Sequence, residues 1–160
     1  MVSHYLGLDC SSKAIHGVII DELANLCFFD KWTSKLPDFE SRFPLFLKSF
    51  YDELGIIKER FPTLRVAIEA PIFIQNPKTT MQIAAVVYTA RFICFLHELE
   101  CVPIQNKSWK KYVLERGNAS KADIFEYAAI MWDKSFKEQD HADAACIALW
   151  GRFNYIGEDI

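Results

Sequence analysis

The chain has 160 residues, 51% of them hydrophobic and 24% charged, which allows one substantial core and leaves no room for two ordinary domains. A formal net charge of −3 argues against a protein that coats nucleic acid by bulk attraction, and no run approaches the ~18 consecutive apolar residues of a membrane span. The opening MVSHYLGLDC lacks a charged region, a long apolar run and a small-residue cleavage site, so a soluble, non-secreted protein with no membrane partner is expected. Cys10, Cys27, Cys94, Cys101 and Cys146 are odd in number and scattered, as free thiols in a reducing compartment would be.

In chain order, YLGLDC, AIHGVII and LCFFDKW read as three strands separated by Ser11-Ser12-Lys13 and by Asp21 to Asn25, a plausible antiparallel meander. From about Phe39 to Arg60, Phe43, Phe46, Leu47, Phe50, Leu54 and Ile57 recur at helical spacing and mark one buried stripe. Pro62 and Thr63 break that pattern, and LRVAIEA then reads as a buried strand. Pro71 and Pro77 bracket an irregular loop ahead of a helix from about Thr79 to Glu98. CVPIQ is a further strand. Helices follow at Ser108 to Glu115 and Ser120 to Trp132, separated by Gly117-Asn118, which suits a helix end. A last helix begins near Asp140 and runs through ADAACIALWGRF. This order predicts a single α/β domain over residues 1–160, a mixed five-stranded sheet with helices on its faces.

Four acids stand out. Asp9 ends an apolar strand before a turn of small residues; alone, it also suits a turn-capping role. Glu69 lies inside VAIEAP, where an unpaired carboxylate costs several kcal/mol, so it requires either a buried Lys or Arg or a bound cation. Asp140 and Asp143, spaced i,i+3 in DHADAA, share one helix face whose alanines permit close approach to the sheet, although either Asp alone could serve the helix start. Acids from a first strand, a middle strand and a last helix can converge on one cleft, where they repel unless metal neutralises them. Hard oxygen ligands suit Mg²⁺ or Mn²⁺, and two such ions about 4 Å apart can activate water and stabilise the leaving oxygen in phosphodiester hydrolysis. His141, beside this pair, reads as a surface helical residue, with a ligand or proton-shuttle role the alternative. Between Asn106 and Lys121, Lys107, Lys110, Lys111, Arg116 and Lys121 oppose the single acid Glu115, giving a local basic segment or a solvated helix face.

These residues resemble the RuvC-type Holliday-junction resolvases of the RNase H-like superfamily. Gly7-Leu8-Asp9-Cys10-Ser11-Ser12 with Gly17-Val18-Ile19-Ile20 is similar to the family's first acidic strand and hairpin partner. Ile68-Glu69 resembles its second acidic strand, Asp140-His141-Ala142-Asp143-Ala144 its closing acid pair, and Trp109-Lys110 with Gly117-Asn118-Ala119-Ser120-Lys121 the stretch that carries two lysines. The resemblance spans roughly Leu6 to Gly151. It implies an RNase H-like sheet of three antiparallel strands followed by parallel ones, and an endonuclease that nicks four-way DNA junctions as a homodimer. Asp9, Glu69, Asp140 and Asp143 would hold two Mg²⁺, with Mn²⁺ able to substitute. Lys110 and Lys121 would contact the scissile phosphate, and Lys107, Lys111 and Arg116 the DNA backbone. In the loop Pro71-Ile72-Phe73-Ile74-Gln75-Asn76, Phe73 is the candidate aromatic wedge, one residue further from Glu69 than in the family pattern. Ser11 stands where the family tends to carry glycine. The apolar surplus of the helix from Thr79 to Glu98 suits a dimer interface. A cytoplasmic location is implied, or the host cytoplasm for a phage-encoded protein.

Three other readings share parts of the pattern. Actin-like ATPases and sugar kinases also open on a glycine-aspartate strand, but they duplicate the core fold and this length holds one copy. A nuclease acting on RNA–DNA hybrids or ends would use the same carboxylates. A non-catalytic module binding branched DNA would have no use for clustered negative charge.

Overall fold

The computed structural model describes residues 1–133 and 136–159. Its strands are β1 (His4–Cys10), β2 (Ala14–Asp21), β3 (Leu26–Thr33), β4 (Leu64–Glu69) and β5 (Cys101–Ile104). The helices are α1 (Phe39–Arg60), α2 (Pro77–Leu96), α3 (Asn106–Leu114), α4 (Lys121–Met131) and α5 (Gln139–Asp159). The sheet order is β3-β2-β1-β4-β5, with β1, β2 and β3 antiparallel and β4 running parallel to both β1 and β5. This is the mixed five-stranded sheet that the order of elements predicts.

Strand alternation sorts the side chains into two cores. Leu6, Leu8, Ile15, Ile19, Val66 and Ile68 join the stripe of α1 and the buried face of α2 on one side of the sheet. Tyr5, Val18, Ile20 and Ala67 pack on the other against Trp109 of α3, Ile124 and Ala128 of α4 and the alanine-rich face of α5. By the same two-residue period, Asp9, His16 and Glu69 belong to the α5 side. Asp9 and His16 are paired across β1 and β2, and His16 and Lys31 across β2 and β3, so these side chains form a row beneath the start of α5.

Small residues set the height of α5 above that row. Ala144, Ala145 and Ala148 are fully buried, and a Cβ added at Gly7 would strike the Ala144 carbonyl and the Ala148 amide. Gly151 makes the matching approach over Ala67, where an added Cβ would lie 2.8 Å from the alanine Cβ.

Element ends differ from the sequence expectations for identifiable reasons. Pro77 belongs to the first turn of α2, since Asn76 caps it by accepting from the Lys78 and Thr79 amides, and proline at that position loses no helical hydrogen bond. The left-handed residue that ends α3 is Glu115, at φ 62°, and not Gly117. Gly117 instead sits against the Lys107 carbonyl, where an added Cβ would lie 3.3 Å away. Ser120 and Asp123 form a reciprocal capping box that starts α4. Although α2 is long and apolar enough by length and composition to cross a bilayer, its Val86, Val87, Ala90, Ile93 and Cys94 are buried in the core. All five cysteines are free thiols.

Candidate active site

Asp9 stands at the end of β1, directly before a turn that its neighbour closes. The Ser11 hydroxyl accepts from the Lys13 and Ala14 amides at 3.2 Å, so the serine side chain supplies locally what a glycine would supply by backbone freedom. From the neighbouring β4, Glu69 projects on the same face. Asp140 and Asp143 descend from the first turns of α5, and oxygens of Asp9, Asp140 and Asp143 lie within 4.8 Å of one another. All four carboxylates line one cavity of about 400 Å³, and Lys110 and Lys121 line it with them. The structure thus brings together six residues that the sequence places on five different elements or their ends.

The requirement that Glu69 have a partner is met by neutral donors. Trp109 donates its indole N–H to Oε2 at 2.9 Å and Asn106 donates its amide to Oε1 at 3.1 Å. Both lie on α3 one turn apart, so this helix braces the carboxylate while leaving room for a cation. The sequence alone assigns neither residue this role; a tryptophan three residues after an asparagine at a helix start is the available signal. Gln139 similarly donates to Asp143 Oδ1 at 3.1 Å.

The electrostatics are those of an under-neutralised acid cluster. Burial, and then the charges of Glu69, Asp143 and Asp140, push the Asp9 carboxyl well above the usual carboxylate range. Burial raises Asp143 to about 6, against the opposing hydrogen bond from Gln139. Glu69 is also raised by burial, although its bonds to Trp109 and Asn106 oppose the shift. Lys110 lowers both Glu69 and Asp143 without cancelling these effects. An oxygen-rich, partly buried cluster that resists simultaneous ionisation fits a hard divalent cation, and Asp9, Glu69, Asp140 and Asp143 are the residues that could hold one.

Other expected site residues are placed differently. His141 is buried, not superficial: it is 6% exposed, a ring nitrogen lies 3.0 Å from the Asp30 carbonyl, and its ring packs on Phe29 and Phe136. His141 shares a helix face with Ala145 and Ala148, four and seven residues on, and that face packs on the sheet. Lys107, Lys111 and Arg116 are exposed and do not line the cavity, and Arg116 is engaged by Asp123 at 3.0 Å. Phe73 is 79% exposed on the loop after β4.

The sheet order and the position of the acid cluster define an RNase H-like nuclease fold. Among solved structures, Thermus thermophilus RuvC in complex with a Holliday junction substrate superposes with a TM-score of 0.76 at 14% identity, covering 95% of this chain and 96% of that one. The yeast mitochondrial Holliday junction resolvase Ydc2 superposes at 0.58 with 15% identity, over 99% of this chain and 85% of that one. The large terminase nuclease of the thermophilic phage G20c gives 0.52 at 8% identity, over 93% and 82% of the two chains. No protein-family model matches the chain. The crossover junction endodeoxyribonuclease RuvC of Salinibacter ruber is 30% identical over 152 residues, 90% of this chain and 82% of the relative. The chain therefore belongs to the RuvC family of crossover junction endodeoxyribonucleases, and it is a nuclease.

Proposed function

We propose that this protein resolves four-way DNA junctions by hydrolysing phosphodiester bonds, each subunit of a homodimer making one nick. The observation that carries the reading is the convergence of Asp9, Glu69, Asp140 and Asp143 with Lys110 and Lys121 on a single cavity. Asp9, Glu69, Asp140 and Asp143 would hold two Mg²⁺, or Mn²⁺ in its place. Bound divalent metal supplies positive charge that acidifies water and neutralises developing negative charge on phosphate.

The chain's own residues do the positioning. Trp109 and Asn106 fix both oxygens of Glu69, and Gln139 holds one oxygen of Asp143, so the ligand set is oriented before substrate arrives. Lys110 and Lys121 place ammonium groups where a transferring phosphate gains charge. Lys107 and Lys111, exposed on the same segment, suit the DNA backbone beyond the cavity, and Arg116 would have to leave Asp123 to join them. Phe73, standing free on its loop, has the exposure a junction wedge requires. The exposed Tyr88, Phe92 and Phe95 on α2 offer an apolar face for a second copy. Such a DNA-processing role belongs in the cytoplasm, or the host cytoplasm for a phage-encoded protein.

The test is cleavage of a synthetic four-way junction beside linear duplex and RNA–DNA hybrid, with Mg²⁺ or Mn²⁺ and with Asp9→Asn and Asp143→Asn as controls. Paired symmetric nicks in the junction alone, abolished by both substitutions, are expected. Preferential cutting of the hybrid would replace the substrate and keep the site. Tight junction binding without metal-dependent cutting would overturn the catalytic reading.

A further inference from the structure

Next to the carboxylate cavity lies a second ligand cluster of different chemistry. His16 of β2, Glu138 just ahead of α5 and His141 in its first turn each offer one ligand atom, and these atoms lie within 4.8 Å of one another. His16 Nε2 is 3.5 Å from Glu138 Oε1, and His141 Nδ1 is 3.8 Å from Glu138 Oε2. Bonds of ~2.1 Å in a tetrahedral site put neighbouring ligand atoms ~3.4 Å apart, so each histidine already lies near that distance from one Glu138 oxygen, and the set with one atom per residue closes from within 4.8 Å.

Two features point to a ligand beyond proximity. The His16 side chain is 3% exposed, yet neither of its ring nitrogens has a hydrogen-bond partner among the described residues, a state that costs free energy in a buried polar group. On His141, Nε2 faces the Asp30 carbonyl at 3.0 Å. A carbonyl can only accept, so Nε2 carries the proton and the lone pair is left on Nδ1, the nitrogen facing Glu138.

We propose that His16, Glu138 and His141 form a second metal site, taking a borderline transition ion such as Zn²⁺ rather than Mg²⁺. Two imidazoles and one carboxylate are a ligand set suited to zinc, whereas Mg²⁺ demands oxygen. A route from solvent exists, because His16 and Glu138 line a cavity of about 450 Å³ that Lys13, Lys31, Lys35 and Arg42 also line, and Asp140 lines both this cavity and that of the carboxylate cluster. The site also reaches the reacting centre. His16 Nδ1 lies 3.7 Å from Asp140 Oδ2, so an ion on Nε2 directs the remaining N–H at Asp140, the carboxylate–histidine–metal arrangement in which the outer carboxylate and the ring orient each other. The competitor is Lys31, whose ammonium holds Glu138 Oε1 at 2.8 Å and must give way on its partly exposed stem.

The proposal is tested by binding alone, without DNA or cleavage, so it can fail while the nuclease reading stands. Co²⁺ serves as the probe, because its visible absorption reports nitrogen-containing, low-coordinate sites. The full chain is titrated as wild type, as Asp9→Asn/Asp143→Asn to disable the carboxylate site, and as His16→Gln, His141→Gln, Glu138→Gln and Lys31→Ala. We expect one equivalent of visible absorption in the wild type and the double variant, displaced by Zn²⁺ and not by Mg²⁺. Glu138→Gln should weaken binding by ~10–100-fold or more, the histidine variants should abolish it, and Lys31→Ala should tighten it. Glu138 is partly exposed, so its variant keeps the test decisive where loss of a buried histidine prevents folding. Absence of the absorption from wild type, its loss in the Asp9→Asn/Asp143→Asn protein, or its persistence in Glu138→Gln would each overturn the site.

Discussion

Replacing Gly7 by alanine tests whether close approach of α5 to β1 builds the acid cluster. The added Cβ would lie 2.9 Å from the Ala148 Cα and nearer still to the Ala144 carbonyl oxygen and the Ala148 amide. Carbon contacts settle at ~3.5–4.0 Å, so α5 must retreat by roughly 1 Å, and backbone atoms cannot rotate aside as a flexible side chain could. Overpacking of this kind costs ~1–3 kcal/mol, and the backbone clash places Gly7→Ala at the upper end. For a chain of this length the melting temperature should fall by ~6–12 °C. The retreat carries Asp140 and Asp143 away from Asp9, and a ~1 Å misplacement of reacting groups costs ~100-fold in rate. Thermal unfolding by circular dichroism and single-turnover junction cleavage measure the two effects. Gly157→Ala, in the same helix with nothing among the described residues within 4 Å of its added Cβ, is the control and should melt at or above the parent temperature. A Gly7→Ala protein that melts within ~2 °C of the parent and cuts at full rate would refute the packing argument.

Further outcomes follow from individual groups. Asp143 titrates at about 6 in the folded protein against 3.8 for an ordinary aspartate, so the folded state binds more protons between those values. Without metal, stability should therefore fall as pH rises from 3.8 to about 6 and then level, with the raised Asp9 and Glu69 extending the fall; Mg²⁺ should flatten it in urea unfolding curves. Trp109→Phe removes a buried hydrogen bond to a carboxylate, worth ~1.5–3 kcal/mol, and should raise the Glu69 pKa further and weaken Mg²⁺ binding measured by calorimetry. Phe73→Ala should leave Mg²⁺ affinity and fold unchanged while reducing junction opening, read by fluorescence of 2-aminopurine at the crossover; unchanged opening would remove it as a wedge. Phe92→Glu with Phe95→Glu, both on exposed positions, should give a monomer by sedimentation and abolish paired nicking.

What the sequence by itself determined is the set of local elements and the acids they carry. The period-two strands, the stripe of α1 and the alanine-rich i,i+3 acid pair of α5 are legible because backbone geometry repeats at fixed short intervals. Asp9 and Glu69 are visible because each ends or interrupts an apolar strand where a carboxylate is costly, and Asp140 and Asp143 because their i,i+3 spacing puts them on one helix face. The order of elements already lets the four acids converge on one cleft, and the family likeness adds Lys110 and Lys121 to them. Only the tertiary structure decided which groups complete them. Trp109 and Asn106 reach Glu69 across 40 and 37 positions of sequence, and His16 meets Glu138 and His141 from a strand more than a hundred residues away, so no local periodicity records either contact. His141 shows the difference most clearly. Next to an acid pair it reads as a surface residue, but it shares the face of Ala145 and Ala148 that packs on the sheet, and burial is a property of the packed layers that a single helix cannot express.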